Sequence, residues 1–348
     1  MPVRFTPAFL SVALALSTAS LFAADAKSGV VIYATGGTIA GSSASSTDTT
    51  DYDAGKLGIE TLIKAVPELN QVATVTGEQL ANMPSQDMDQ KTLMKLSKTI
   101  SQKLEDPAVH GVVVTHGTDT LEETAFFLDL TVKSEKPVVV VGAMRPATAV
   151  GADGPMNLLE AVSLAANDKA NGRGTLVVLN DRIGSAFYTT KTNSTMPDTF
   201  RAVEQGYLGS FVGITPRFYY SPATPTGKRH FDVSKQESLP KVVILYSYQD
   251  QDSALIDAAI KDGAKGIVIA GTGNGSIPTR TKETVKRLME QGIPVIRSTR
   301  TGSGFVSRKE EGIGSGFFNP QKSRILLSLA LATGADMATI ERYFSAAE

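Results

Sequence analysis

The 348-residue chain contains no cysteine. That absence excludes disulfides, a thiolate nucleophile and iron–sulfur clusters. Histidine is scarce, with only His110, His116 and His230. No HExxH segment and no carboxylate-rich calcium loop occurs, so neither a metal nor another cofactor is expected. Neither sign of charge is in excess: 34 Lys and Arg stand against 35 Asp and Glu, a net charge of -1. No basic stripe points to nucleic acid and no acidic block to a disordered tail, so the expected partner is a small molecule.

The apolar run at residues 9–16 is too short to span a bilayer comfortably. It follows Arg4 and precedes Ala24-Asp25-Ala26, a small-x-small cleavage site. That order reads as a secretory signal over residues 1–26, with the mature chain starting near Lys27 and no membrane attachment after cleavage. An ordinary buried N-terminal helix is the other reading. A secreted chain of this length can form a sufficient core without disulfides.

Short β-branched runs at 30–34, 111–115, 138–141 and 175–179 read as strands buried on both faces. Helical patterns at 91–104, 121–132 and 156–166 lie between them, which implies right-handed crossovers and a parallel sheet. Residues 216–240 hold four prolines, Pro216, Pro222, Pro225 and Pro240, and read as a linker. Strand candidates at 242–246, 266–270 and 294–297 then alternate with helices at 252–261 and 282–290. Helices at 323–332 and 337–344 close the chain. The expected class is therefore α/β with two domains: a larger N-terminal parallel-sheet domain at 27–215 and a smaller α/β domain at 241–348.

Ligands of open parallel sheets bind beyond the carboxyl ends of strands. This nominates Thr35-Gly36-Gly37-Thr38 and Thr115-His116-Gly117-Thr118-Asp119-Thr120. The glycines permit a tight turn whose amides could hold an oxyanion while a hydroxyl attacks. Thr38 would need activation, and Tyr52 could relay its proton. From spacing alone a plain helix N-cap without chemistry is the favoured reading of Thr38. Asp119 or Thr120 could likewise be an N-cap, with Glu122 and Glu123 suiting a first helical turn. Lys191 is a solvated charge by default, or a group that polarises a hydroxyl beside an aspartate. His116 reads as structural. Gly271-Thr272-Gly273-Asn274-Gly275 lacks the spacing of a dinucleotide loop.

Several segments in order carry a resemblance over essentially the whole mature sequence. They are Ala34-Thr35-Gly36-Gly37-Thr38-Ile39-Ala40-Gly41, Ser85-Gln86-Asp87-Met88 and Val114-Thr115-His116-Gly117-Thr118-Asp119-Thr120. Val141-Gly142-Ala143-Met144-Arg145-Pro146 and Thr190-Lys191-Thr192-Asn193 follow. The chain resembles the bacterial type II, periplasmic L-asparaginases and glutaminase-asparaginases. The resemblance implies hydrolysis of L-asparagine to L-aspartate and ammonia without a cofactor, with L-glutamine a secondary or comparable substrate. It maps the nucleophile to Thr38, its assistant on a lid loop to Tyr52, and a second cluster to Thr118, Asp119 and Lys191. Substrate holding maps to Ser85 and Gln86 at the α-carboxylate and to Asp119 at the α-ammonium. Asn274, Ser276 and Glu311, or its neighbour Glu310, match positions contributed from an adjacent subunit, which implies a homotetramer built as a dimer of intimate dimers. The segment 300–319 is shorter than in some relatives and resembles the cysteine-free branch. A secreted amino-acid-binding protein would share the two-domain α/β build, but it has no need of two threonine loops and Lys191.

Overall fold

The computed structural model describes Met1 and residues 27–345; the expected signal segment lies outside the described residues. The larger domain runs β1 (Gly29–Gly36), α1 (Ile59–Ala65), α2 (Leu69–Val72), β2 (Thr74–Met83), α3 (Gln90–Leu104), β3 (Val109–Thr115), α4 (Leu121–Thr131), β4 (Val138–Val141) and α5 (Gly154–Ala165). It continues through β5 (Thr175–Leu179), β6 (Arg182–Ser185), β7 (Thr190–Lys191), β8 (Phe200–Arg201), β9 (Gly209–Val212) and β10 (Thr215–Phe218). The smaller domain holds β11 (Val242–Tyr246), α6 (Ala254–Lys261), β12 (Gly266–Gly271), α7 (Thr279–Glu290), β13 (Val295–Thr299), β14 (Ile313–Gly314), α8 (Pro320–Ala332) and α9 (Met337–Ser345). The two-domain α/β organisation is the one expected. Among the described residues no helix is long and apolar enough to cross a membrane.

Eight strands form the large sheet in the order β10-β9-β6-β5-β4-β3-β1-β2. The five from β2 to β5 pair in parallel. The expectation of a parallel sheet holds for these, but β6, β9 and β10 extend the sheet antiparallel. The reversal is made by Asn180 and Asp181, both with positive φ (53° and 58°), in a two-residue turn between β5 and β6. Such a turn matches the twist of a hairpin and favours Asn and Asp. Residues 216–218, expected as the start of the linker, instead complete the edge strand β10. Pro216 is tolerated there because an edge strand can spare an amide donor.

Side chains alternate across the parallel strands, as the pleat requires. Val30, Ile32 and Ala34 of β1 enter the layer covered by α5, while Val31 and Tyr33 face Leu96 and Ile100 of α3. Helix α4 is buried all round. Leu121, Ala125 and Leu128 face the large sheet, while Phe126, Phe127 and Leu130 pack with Ile325, Leu326 and Leu329 of α8. A helix buried on nearly every side, with apolar residues on both its faces, suits this sandwiched place and joins the two domains through a shared core.

The order 2-1-3-4-5 within the parallel part puts a switch point between β1 and β3, because the chain leaves these neighbours toward opposite sides. A crevice opens outside the carboxyl ends at such a point. Thr38 follows β1 and Thr118 follows β3.

Candidate active site

The first loop is shaped by glycine. Gly36 and Gly37 have φ of 104° and 84°, a region unfavourable to residues with a side chain. A Cβ on Gly37 would lie 2.3 Å from Gly117 Cα, so the two loops touch backbone to backbone. Thr35 Oγ1 also donates to the Thr115 carbonyl at 2.9 Å, tying the ends of β1 and β3.

Thr38 is buried in a single 3-10 turn over Thr38–Ala40, with Gly37 in the capping place. Its hydroxyl shares a 2.6 Å hydrogen bond with that of Tyr52. The loop carrying Tyr52 is held at its base by paired Ser42 and Asp53 backbones at 3.1 and 3.0 Å, and Gly55 N–H donates to the Gly37 carbonyl at 3.1 Å.

On the second loop, Thr118 is buried while Asp119 is exposed. Lys191 Nζ donates to Thr118 Oγ1 at 3.0 Å and to Asp119 Oδ1 at 2.7 Å. Its side chain is only 14% exposed, which sets aside the default reading of a freely solvated charge. His116 lies beneath them, fully buried. Its Nδ1–H donates to the Gly117 carbonyl at 2.8 Å, because a carbonyl can only accept. Nε2 therefore accepts from the Thr124 hydroxyl at 2.8 Å. Burial holds its pKa down at about 4, so the ring stays neutral and braces the loop.

Thr120 occupies the capping position of α4 but makes no side-chain cap. Its hydroxyl donates instead to the Ser85 carbonyl at 2.7 Å, while its N–H reaches Ser85 Oγ at 3.4 Å. This brings the turn Ser85–Asp87 beside the second loop.

A cleft of about 530 Å³ is lined by Thr38, Tyr52, Ser85, Gln86, Thr118 and Asp119. Asp53 and Lys56 join them and form an ion pair of 3.2 Å. Sequence reasoning does not find these two; their nearness to Tyr52 is the one signal that could have. Asn274, Ser276 and Glu311 do not line this cleft. Asn274 exchanges two hydrogen bonds with Ser307, each 2.9 Å. Ser276 Oγ accepts from Lys309 Nζ at 3.2 Å. Glu311 Oε1 accepts from Lys282 Nζ at 2.7 Å, which holds its carboxyl below the usual range, whereas Glu310 is exposed.

The family model for the N-terminal asparaginase domain matches residues 29–224, and that for the glutaminase/asparaginase C-terminal domain matches 241–344. The chain belongs to the asparaginase family. It is 52% identical over 317 residues to a Schizosaccharomyces pombe protein named probable L-asparaginase 1, covering 91% of this chain and 88% of the relative. A Haemophilus influenzae protein named as a probable periplasmic L-asparaginase is 44% identical, over 90% and 92% of the two chains. A crystal structure of a probable cytoplasmic L-asparaginase from Campylobacter jejuni superposes with a TM-score of 0.88 at 46% identity, over 91% of this chain and 99% of that one. The two asparaginase domain models divide where the large sheet ends and the small sheet begins. As a member of this family the chain is an amidohydrolase.

Proposed function

We propose that this chain hydrolyses the side-chain amide of L-asparagine to L-aspartate and ammonia through a threonine acyl-enzyme. One observation carries the reading: the Thr38–Tyr52 hydroxyl pair shares a cleft with Thr118 and Asp119, which Lys191 holds. Thr38 Oγ attacks the amide carbon, and its proton passes to Tyr52 and on to the leaving nitrogen, which departs as ammonia. Water then adds to the ester, supplies a proton of its own to Thr38 Oγ and releases aspartate. Amides of the Gly37–Thr38 turn face the developing oxyanion. Lys191 polarises the Thr118 hydroxyl, which orients the water.

Ser85 and Gln86 take the α-carboxylate. Asp119 offers the α-ammonium the carboxylate oxygen that Lys191 leaves unused. This pairing of charges favours a free amino acid over a peptide. L-Glutamine is a secondary substrate, and the ratio of kcat/KM for the two amides measures the preference. Asn274, Ser276 and Glu311 serve the cleft of a neighbouring subunit in a homotetramer; their placement away from this chain's own cleft is what that reading needs. The order of features in residues 1–26 supports secretion to the periplasm, in keeping with the Haemophilus relative's name though not the Campylobacter one's. Sequencing the N-terminus of the mature protein tests it.

The decisive experiment compares ammonia release from asparagine by the wild type and Thr38→Ala. The variant is expected to keep its fold and lose turnover by orders of magnitude. Near wild-type turnover would overturn the nucleophile. Asparagine binding without ammonia release by the wild type would favour an amino-acid-binding protein instead.

A further inference from the structure

Lys191 lies on β7, a two-residue strand that among the described residues pairs only with the two-residue β8. A ribbon this small is not stable by itself. The large sheet does not include it, so something else must set where the Lys191 ammonium sits.

That support comes from the other domain. Asn319 is the N-cap of α8, and its Oδ1 accepts the Lys322 N–H at 2.9 Å. Its Nδ2 donates to Glu122 Oε2 at 3.0 Å and to Thr190 Oγ1 at 3.1 Å. Both amide hydrogens are thereby used. Glu122 lies three residues beyond Asp119, and Thr190 immediately precedes Lys191. One amide group therefore grips both chain segments that meet in the Lys191–Asp119 contact.

The grip is itself braced. Gln321 Nε2 reaches Glu122 Oε1 at 3.4 Å. The buried Lys322 Nζ donates to the carbonyls of Ala186 and Phe187 at 2.7 and 2.9 Å, holding the chain that leads into β7. Capping explains only the Oδ1 bond, and serine or aspartate would cap as well. The two bonds from Nδ2 are surplus to that task, and they are the ones that reach the site.

We propose that Asn319 is a positioning residue through which the C-terminal domain sets the distance from Lys191 to Thr118 and Asp119. The proposal rests on the reading of Lys191 as part of the reacting cluster. The clamp sets where Lys191 stands against Thr118 and Asp119; Ser85 and Gln86, which take the α-carboxylate, are untouched, and Asp119 stays on its own loop after β3. Loss of the clamp slows turnover with little change in KM.

The test uses the full-length enzyme with Asn319→Ser, Asn319→Asp and Arg324→Ala. Serine caps α8 but is too short for the other two bonds. Aspartate caps and reaches, but it offers no donors and faces Glu122 with a like charge. Arg324 pairs with Glu123 at 2.9 Å, joining the same two helices without touching Thr190, and so controls for general loss of domain contact. Asn319→Ser is expected to lower kcat about ten- to a hundred-fold, the scale of a small misplacement of a reacting group, with KM changed less than about two-fold. A pulse of acetic anhydride read by mass spectrometry should label Lys191 several-fold faster than in the wild type. Arg324→Ala should match the wild type in both. Asn319→Asp should resemble Asn319→Ser; should it fail to fold, the serine variant decides alone. Wild-type kcat and Lys191 labelling in Asn319→Ser would overturn the proposal, as would an equal loss in Arg324→Ala. A wild type that releases no ammonia from any amide would defeat the functional reading, while the labelling contrast would still decide the clamp.

Discussion

The hydroxyls of Thr38 and Tyr52 lie 2.6 Å apart although fourteen residues separate them in the chain. The intervening loop closes on itself through Ser42 and Asp53, so the contact is built into the backbone path. Removing the Tyr52 hydroxyl takes away the proton relay but leaves the ring against Gly41. Tyr52→Phe should lower kcat for asparagine by about a hundred-fold or more, the range of general acid–base assistance. Steady-state ammonia release measures it, and an unchanged kcat would remove Tyr52 from the reaction.

Lys191 and its partner Asp119 separate turnover from binding. Lys191→Met keeps the length of the stem and removes the charge, so kcat should fall with little change in KM. Asp119→Asn removes the charge offered to the α-ammonium, and KM should rise as kcat falls. Each loss is expected at about ten- to a hundred-fold in kcat/KM, the worth of a charged hydrogen bond. Neither should move the melting temperature much. Asp119 is 66% exposed, and solvent screens an ion pair of that kind.

Gly37 tests the contact between the loops. An alanine there must hold φ of 84° and place its Cβ 2.3 Å from Gly117 Cα. Strain in this region costs about 1–3 kcal/mol before any clash is counted. Gly37→Ala should therefore lower stability by more than about 1 kcal/mol in urea unfolding. It should also abolish turnover, since moving either loop parts Thr38 from Thr118. A stable, active variant would show that the loops can separate without harm.

Glu160 of α5 gives a pH signature. Its carboxyl is buried beside Asp181. Burial, then Asp181, raise its pKa from 4.5 to about 8. Between those values the folded chain keeps a proton that the unfolded chain has lost, so stability falls as pH rises across the window. Glu160→Gln cannot titrate. The melting temperature of this variant minus that of the wild type should grow from pH 5 to pH 8, as followed by calorimetry. A constant difference would place the carboxyl's titration outside that window.

Seven of the strands are legible in the amino-acid sequence, because strands buried on both faces carry a near-continuous apolar run. β1, β3, β4 and β5 of the large sheet and β12 and β13 of the small one are of this kind, while the half-buried β11 is legible from its unbroken apolar run alone. β2 is not legible. It is a sheet edge exposed along most of its length, and Thr74, Thr76, Glu78 and Gln79 carry no apolar period. β6, β9 and β10 are hidden for another reason: each is four residues long and breaks its apolar positions with Gly, Ser, Thr, Pro or Arg, so no run registers.

The sequence by itself determined that two threonine loops follow strands, that no thiol chemistry is at hand, and that the ordered motifs are those of the asparaginase family. Local composition decides such things, since a β-branched run ending in glycine carries its own instruction. Only the tertiary structure decided that the two loops meet. That depends on β1 and β3 being neighbours whose connections part in opposite directions, which is a property of strand order. Structure likewise placed Asn274, Ser276 and Glu311 away from the cleft and brought Asn319 to Thr190 across 129 residues of chain. An amide with two donors has no sequence signature for its acceptors. What it grips is set by how α8 packs on α4.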